Sequence, residues 1–194
     1  FRLSARYAFT DNFSVKAGFN SMRQYIHKLS NTVIMSPTDT WKLSDVNIKP
    51  QRGWQAAAGL YLNSPSGIWE YSVEGYYKRM SDYLDYRGGA KLLMNHHIET
   101  DVINTQGHAY GVELQVKKQV GKLNGWMSYT YSRTFLRQND KRIEKPVNNG
   151  DWYPTEYDKP HDFKFVGNYK FTHRYSMSIN VDYSTGRPTT IPAG

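Results

Sequence analysis

Eight stretches of this chain alternate apolar and polar residues with a period of two. In the last of them Tyr175, Met177, Ile179, Val181 and Tyr183 share one face, while Ser176, Ser178, Asn180, Asp182 and Ser184 share the other. Successive side chains of an extended strand point to opposite sides, so each stretch makes a ribbon with one oily and one wet face. The expected strands are residues 1–10, 13–29, 51–62, 68–85, 105–120, 123–137, 161–171 and 175–185. Turns of a few residues alternate with polar connections of about 20 residues, at 30–50, 86–104 and 138–160. Long structureless connections are uncommon in compact soluble domains. In outer-membrane β-barrels, short periplasmic turns and long external loops are the rule. The expected fold is all-β: an antiparallel up-and-down transmembrane barrel wall with its oily face on lipid and its polar face on a watery lumen.

Composition supports two solvents. Aromatic residues make up 15% of the chain, including 16 tyrosines, although the chain is polar on average. No apolar run approaches the ~18 residues of a membrane-spanning helix, whereas a spanning strand needs only about 9 to 11 residues with alternate ones apolar. The absence of cysteine removes disulfides, thiolate metal sites and cysteine nucleophiles. A net charge of +8 is spread over strands and loops, not gathered in a helix or arm, so no nucleic-acid partner is expected. The chain opens inside a strand at Phe1-Arg2-Leu3 and stops in a loop. Both ends read as cut from something longer, with residues 1–194 part of one barrel domain.

Four strands rise from short turns toward long loops, and each carries an arginine in the outward register about 10 to 12 residues above its turn: Arg23, Arg79, Arg133 and Arg187. At ~3.3 Å per residue and a tilt near 45° that height is roughly 25 Å, the height of the apolar band. A belt of guanidinium groups there suits the phosphates of outer-leaflet lipid and lipopolysaccharide; charged strand ends account for the same residues equally well. His96 and His97, with Glu99 and Asp101 close by, are the densest set of metal-ligand types. Neighbouring side chains in an extended segment point opposite ways, so a solvated loop is the competing reading. No Gly-x-Ser-x-Gly elbow occurs, and His108, His161 and His173 lie on different hairpins, so no enzyme and no cofactor are expected. Alternation over 68–85 puts Glu70, Ser72, Glu74, Lys78 and Asp82 inward; Trp126, which falls on the nominally inner face, is the exception to the pattern.

The segment from Glu156 through Tyr157-Asp158-Lys159-Pro160-His161-Asp162 to Phe163, followed by Tyr183-Ser184-Thr185-Gly186-Arg187-Pro188, resembles the C-terminal half of TonB-dependent outer-membrane receptors. Gly111-Val112-Glu113-Leu114-Gln115, hairpinning into Gly125-Trp126-Met127-Ser128-Tyr129-Thr130-Tyr131-Ser132, resembles the same family. The resemblance covers 111–192 well, and the earlier strands agree in pattern. It implies a 22-stranded barrel in the outer membrane of a Gram-negative bacterium, plugged by an N-terminal domain. Such a receptor takes up a scarce solute (siderophore, vitamin, haem or oligosaccharide) with energy delivered by TonB through a part absent here, and a surface lipoprotein partner is compatible with it. The inward set Glu74, Lys78, Glu113, Gln115, Lys117, Lys164, Asn168, Asn180 and Asp182 would then line the lumen and meet the plug. Trp41, Trp152, Tyr153 and Tyr157 in the long connections are candidate solute contacts, unless they pack the loops onto the rim. The alternative is a self-contained eight-stranded barrel, a structural anchor or lipid enzyme, which requires the first strand to close onto the last.

Overall fold

A computed structural model describes residues 1–29, 40–46, 48–86, 102–138, 143 and 146–188. In chain order its strands are β1 (Arg2–Thr10), β2 (Phe13–Gln24), β3 (Ile26–Leu29), β4 (Thr40–Leu43), β5 (Gln51–Asn63), β6 (Trp69–Tyr86), β7 (Val102–Lys118), β8 (Leu123–Arg137), β9 (Tyr153–Pro154), β10 (His161–Lys170) and β11 (Ser176–Ser184). Eight of them form one antiparallel wall in the order β1-β2-β5-β6-β7-β8-β10-β11, with the short β9 on β8, while β3 and β4 make a separate ribbon. Aromatic and β-branched residues on alternate positions favour this extended state. Turn chemistry sets the hairpins: Thr10 Oγ1 accepts from the amides of Asn12 at 3.3 Å and Phe13 at 3.0 Å, closing the first one.

Register turns the sequence alternation into continuous rows. Tyr7, Val15, Leu60, Val73, Leu114, Tyr129, Phe163 and Tyr183 stand side by side across all eight wall strands. On the opposite face Ser14, Tyr61, Ser72, Gln115, Ser128, Lys164 and Asp182 form a polar row. The oily face is open, with Leu3 62%, Leu60 48% and Val181 46% exposed. A contiguous apolar surface of this extent is one that soluble monomers avoid and a barrel gives to lipid. Buried apolar side chains gather instead toward the long-connection end, at Ile48, Met80, Val102, Ile103, Ala109 and Leu136.

Three features depart from simple alternation. The second strand ends at Gln24 and does not run on to residue 29. Ser44 donates its amide to the Tyr25 carbonyl at 2.8 Å and its hydroxyl to the same oxygen at 3.1 Å, so β3 and β4 leave the wall together. At Asp82 the ladder between β6 and β7 slips by one residue, and Asp82 adopts a left-handed backbone at φ 57°. This bulge re-aims the side chain, and Asp82 joins Arg52 at 2.8 Å, whose register is that of outward Trp54. Alternation misplaced Asp82 because it assumes an unbroken ladder. Trp126 does keep the inner register, between Lys117 and Val166.

Two glycines are required by close approach. A Cβ on Gly111 would meet the Tyr131 carbonyl oxygen and the Tyr76 ring, each at 2.8 Å, and one on Gly125 would run into the Val166 carbonyl oxygen. The wall is open: within the described residues β1 pairs only with β2, and β11 only with β10. The closure that a self-contained eight-stranded barrel needs is not formed.

Candidate functional site

The nine residues expected to line a lumen all share the polar face. Tyr61 donates its hydroxyl to Glu74 at 2.8 Å. Lys117 lies 3.5 Å from Glu70, which also accepts from Gln119, and Lys164 lies 3.6 Å from Asp162. Asn168 accepts from Ser178 at 2.7 Å and donates to Asn124 at 3.4 Å. Half-exposed pairs of this kind contribute little stability singly, so what the pairs show is a polar face of mixed sign. Two placements stand out. Arg6 is directly opposite Lys16, and Glu74 directly opposite Glu113. Like charges placed so repel unless a partner intervenes.

The four arginines are staggered in the ladder. Arg23 lies in the row of Arg52 and Ser81, Arg79 one same-face row nearer the short turns beside Trp54 and His108, and Arg133 one row nearer again beside Tyr110. The turns descend through the register in the same direction, which is what tilted strands need if turns and arginines are each to lie level. Arg187 follows β11 and is exposed. These four do not share one environment. Arg133 Nε is held 3.0 Å from Asp158 Oδ2, and its guanidinium lies 4.8 Å from the Phe135 ring.

At the long-connection end, two carboxylates fasten residues 147–158 to the wall. Asp158, 3% exposed, accepts from Arg133 Nε with one oxygen and from the Thr134 amide at 2.8 Å with the other. Asp85 accepts from the Tyr153 hydroxyl at 2.8 Å and from Gln138 Nε2 at 3.1 Å; buried Gln138 in turn accepts from the Val147 amide at 2.9 Å. Burial, with Asp85 beside it, pushes the Tyr153 phenol well above its ordinary range, so it remains a donor. Asn148, Asn149 and Gly150, at φ 51°, 54° and 81°, make the left-handed turn between these anchors.

The aromatic candidates therefore divide. Trp152 packs edge-on against His108 at 4.3 Å, on the outward register, and Tyr153 is engaged by Asp85, whereas Trp41 is 65% and Tyr157 59% exposed. Residues 96 and 97, the histidines considered as metal ligands, lie outside the described residues. Among the described residues no group of three or more His, Asp or Glu is placed to hold a metal. His161 Nδ1 is 2.7 Å from the Tyr129 hydroxyl and His108 sits among aromatic rings; neither meets a serine or carboxylate in a triad arrangement. Sequence reasoning missed Asp85, Gln138 and Asp158 as anchors. Only Asp158 carried a signal, as part of the quoted motif ending Asp158-Lys159-Pro160.

A family model described as TonB dependent receptor-like, beta-barrel matches residues 1–192. Among solved structures, that of P. aeruginosa FpvA bound to heterologous pyoverdines in an iron complex is similar, with a TM-score of 0.50 and 13% identity. The likeness covers 93% of this chain and 28% of that chain, so this chain spans little more than a quarter of its neighbour's length. At this identity it speaks to the fold alone. No protein of curated function matches this chain.

Proposed function

Because this chain belongs to the TonB-dependent receptor β-barrel family, we propose that it forms part of the wall of a larger receptor importing a scarce solute with energy transduced through TonB. The family consists of receptors and transporters, not enzymes, and resides in the outer membrane of Gram-negative bacteria. The observation that carries the reading is the open sheet, whose first and last wall strands each keep an unpaired edge within the described residues. Free edges invite pairing, and further strands of the same barrel supply it. Residues 1–194 are then one portion of a single barrel domain, eight strands of 22, with the remaining strands and the plug contributed by the rest of a parent chain.

The polar face turns to the plug in this reading. The opposed pairs Arg6/Lys16 and Glu74/Glu113 are the positions where complementary plug charges would relieve most repulsion. The staggered arginines meet outer-leaflet phosphates, with Arg79 and Arg187 freer to do so than Arg133, and the exposed Trp41 and Tyr157 are the candidates for touching a solute. The solute in this reading is a siderophore, vitamin, haem or oligosaccharide.

Uptake of labelled candidate solutes by cells carrying the intact receptor tests the reading. Entry is expected to stop when TonB is removed or the proton gradient is collapsed. Entry that continues undiminished under both treatments, as through an open pore, would contradict it.

A further inference from the structure

Among the described residues, the outward face carries a concavity where β8 and β10 meet. Gly125 and Gly167 stand opposite each other on β8 and β10, in the row that continues to Lys118 on one side and Ile179 on the other. Gly125 must lack a side chain, because a Cβ there meets the Val166 carbonyl oxygen, while one on Gly167 would come within 2.8 Å of the tip of the Phe165 ring and push it aside. The absence of both side chains leaves a notch of about 200 Å³ bounded by Trp69, Val116, Leu123, Met127 and Phe165. It lies at the short-turn end of the apolar band, next to the turn at residues 119–122.

Lys118 borders the notch with its Nζ 5.7 Å from the Trp69 ring centre, and makes no ion pair with a described residue. The surrounding turns are strongly basic. Lys122, Lys170 and Arg174, with His173, border a hollow that no carboxylate lines, although Lys170, opposite Ser176, belongs to the polar face. By contrast, the turns at Asp11-Asn12 and at Ser64-Pro65-Ser66-Gly67 contain no basic residue. An apolar notch facing hydrocarbon is filled by methylene groups, and a lysine beside a tryptophan at its interfacial end matches the arrangement that holds a phosphate at headgroup level.

We infer that this notch binds one anionic phospholipid of the periplasmic leaflet, with an acyl chain lying over Gly125 and Gly167 and the headgroup phosphate on Lys118. The Lys118 ammonium, which borders the notch and makes no ion pair with a described residue, selects a net anion over a zwitterion, whose own cationic group it repels. The inference rests on the reading of the outward face as lipid-facing.

The test uses the intact receptor in detergent, examined by native mass spectrometry with added palmitoyl-oleoyl phosphatidylglycerol or the matching phosphatidylcholine. One phosphatidylglycerol is expected to remain bound, at least fivefold more abundantly than phosphatidylcholine. Lys118→Gln should remove most of that preference, and Val116→Phe, which narrows the notch without touching the charge, should lower retention of the lipid. Equal retention of the two lipids, or unchanged phosphatidylglycerol in both variants, overturns the site. A control separates this failure from failure of the wall reading: Val15→Cys, in the outward row on β2 and away from the notch, should resist a water-soluble maleimide in reconstituted membranes. Protection of that cysteine without lipid preference sinks the notch alone, while free reaction in folded protein sinks the lipid-facing wall and the notch with it.

Discussion

The wall and the rim of this molecule are built on different principles. In the wall a side chain's role is set by its row: Leu60, Val73 and Leu114 are neighbours at one level of one face, and one apolar residue there can replace another. In the rim the role belongs to the individual residue. Asp158 satisfies the Thr134 amide and the Arg133 guanidinium together, and Asp85 gathers Tyr153 and Gln138. The contrast teaches that the wall is specified by periodicity and cross-strand neighbours, whereas the rim is specified by buried hydrogen bonds that tolerate no substitute.

Substitutions that damage one region and spare the other test this division. The largest effect is expected from Gly125→Ala in the wall, because its Cβ would enter the Val166 carbonyl oxygen. Neither strand can yield without breaking the β8–β10 ladder, so the cost should reach or exceed about 3 kcal/mol, the upper range for overpacking. The intact receptor should lose its heat-modifiable folded band on a gel. A folded band at wild-type yield would mean that the strands are not so tightly opposed.

Asp158→Ala should be local. Losing a buried carboxylate that serves an amide and a guanidinium costs about 1.5–3 kcal/mol, but the strand ladder below it is untouched. Faster protease cleavage within 138–160 is expected, with the barrel band intact; loss of the whole barrel would show that the rim is not separable from the wall. Tyr153→Phe removes only the hydroxyl donated to Asp85, which keeps Gln138. It should cost about 1 kcal/mol and give a smaller rise in cleavage at the same segment. An effect equal to that of Asp158→Ala would overturn the ranking of the two anchors.

The same contrast explains what was legible in the sequence. Period-two alternation located all eight wall strands and the face of every expected lumen residue, because side-chain direction in a strand depends only on parity until the ladder slips. It slipped at Asp82, where no local residue type announces the bulge, and so the Arg52–Asp82 pair was unreadable. The departure of β3 and β4 from the wall was hidden for a different reason, since the partner that draws Ile26–Leu29 away, Thr40–Leu43 with Ser44, lies across a long connection. Trp152 and Tyr153 look alike in sequence as exposed loop aromatics. They are adjacent, so they fall on opposite sides of β9's pairing with β8, one against His108 and the other against Asp85. Nothing in either residue reveals those distant partners.

The central claim is that the two faces of one strand meet two solvents, and Leu114 and Gln115 on β7 test it most directly. Arginine is introduced at each in turn, and the unfolding free energy of the intact receptor is measured in lipid bilayers. Leu114→Arg should cost about 2–4 kcal/mol, the range for a cation on the lipid face near mid-bilayer, whereas Gln115→Arg, beside Ser72 and Ser128 on the polar face, should stay within about 0.5 kcal/mol of wild type. Equal costs at the two positions, or a larger one at Gln115, would contradict the two-faced wall.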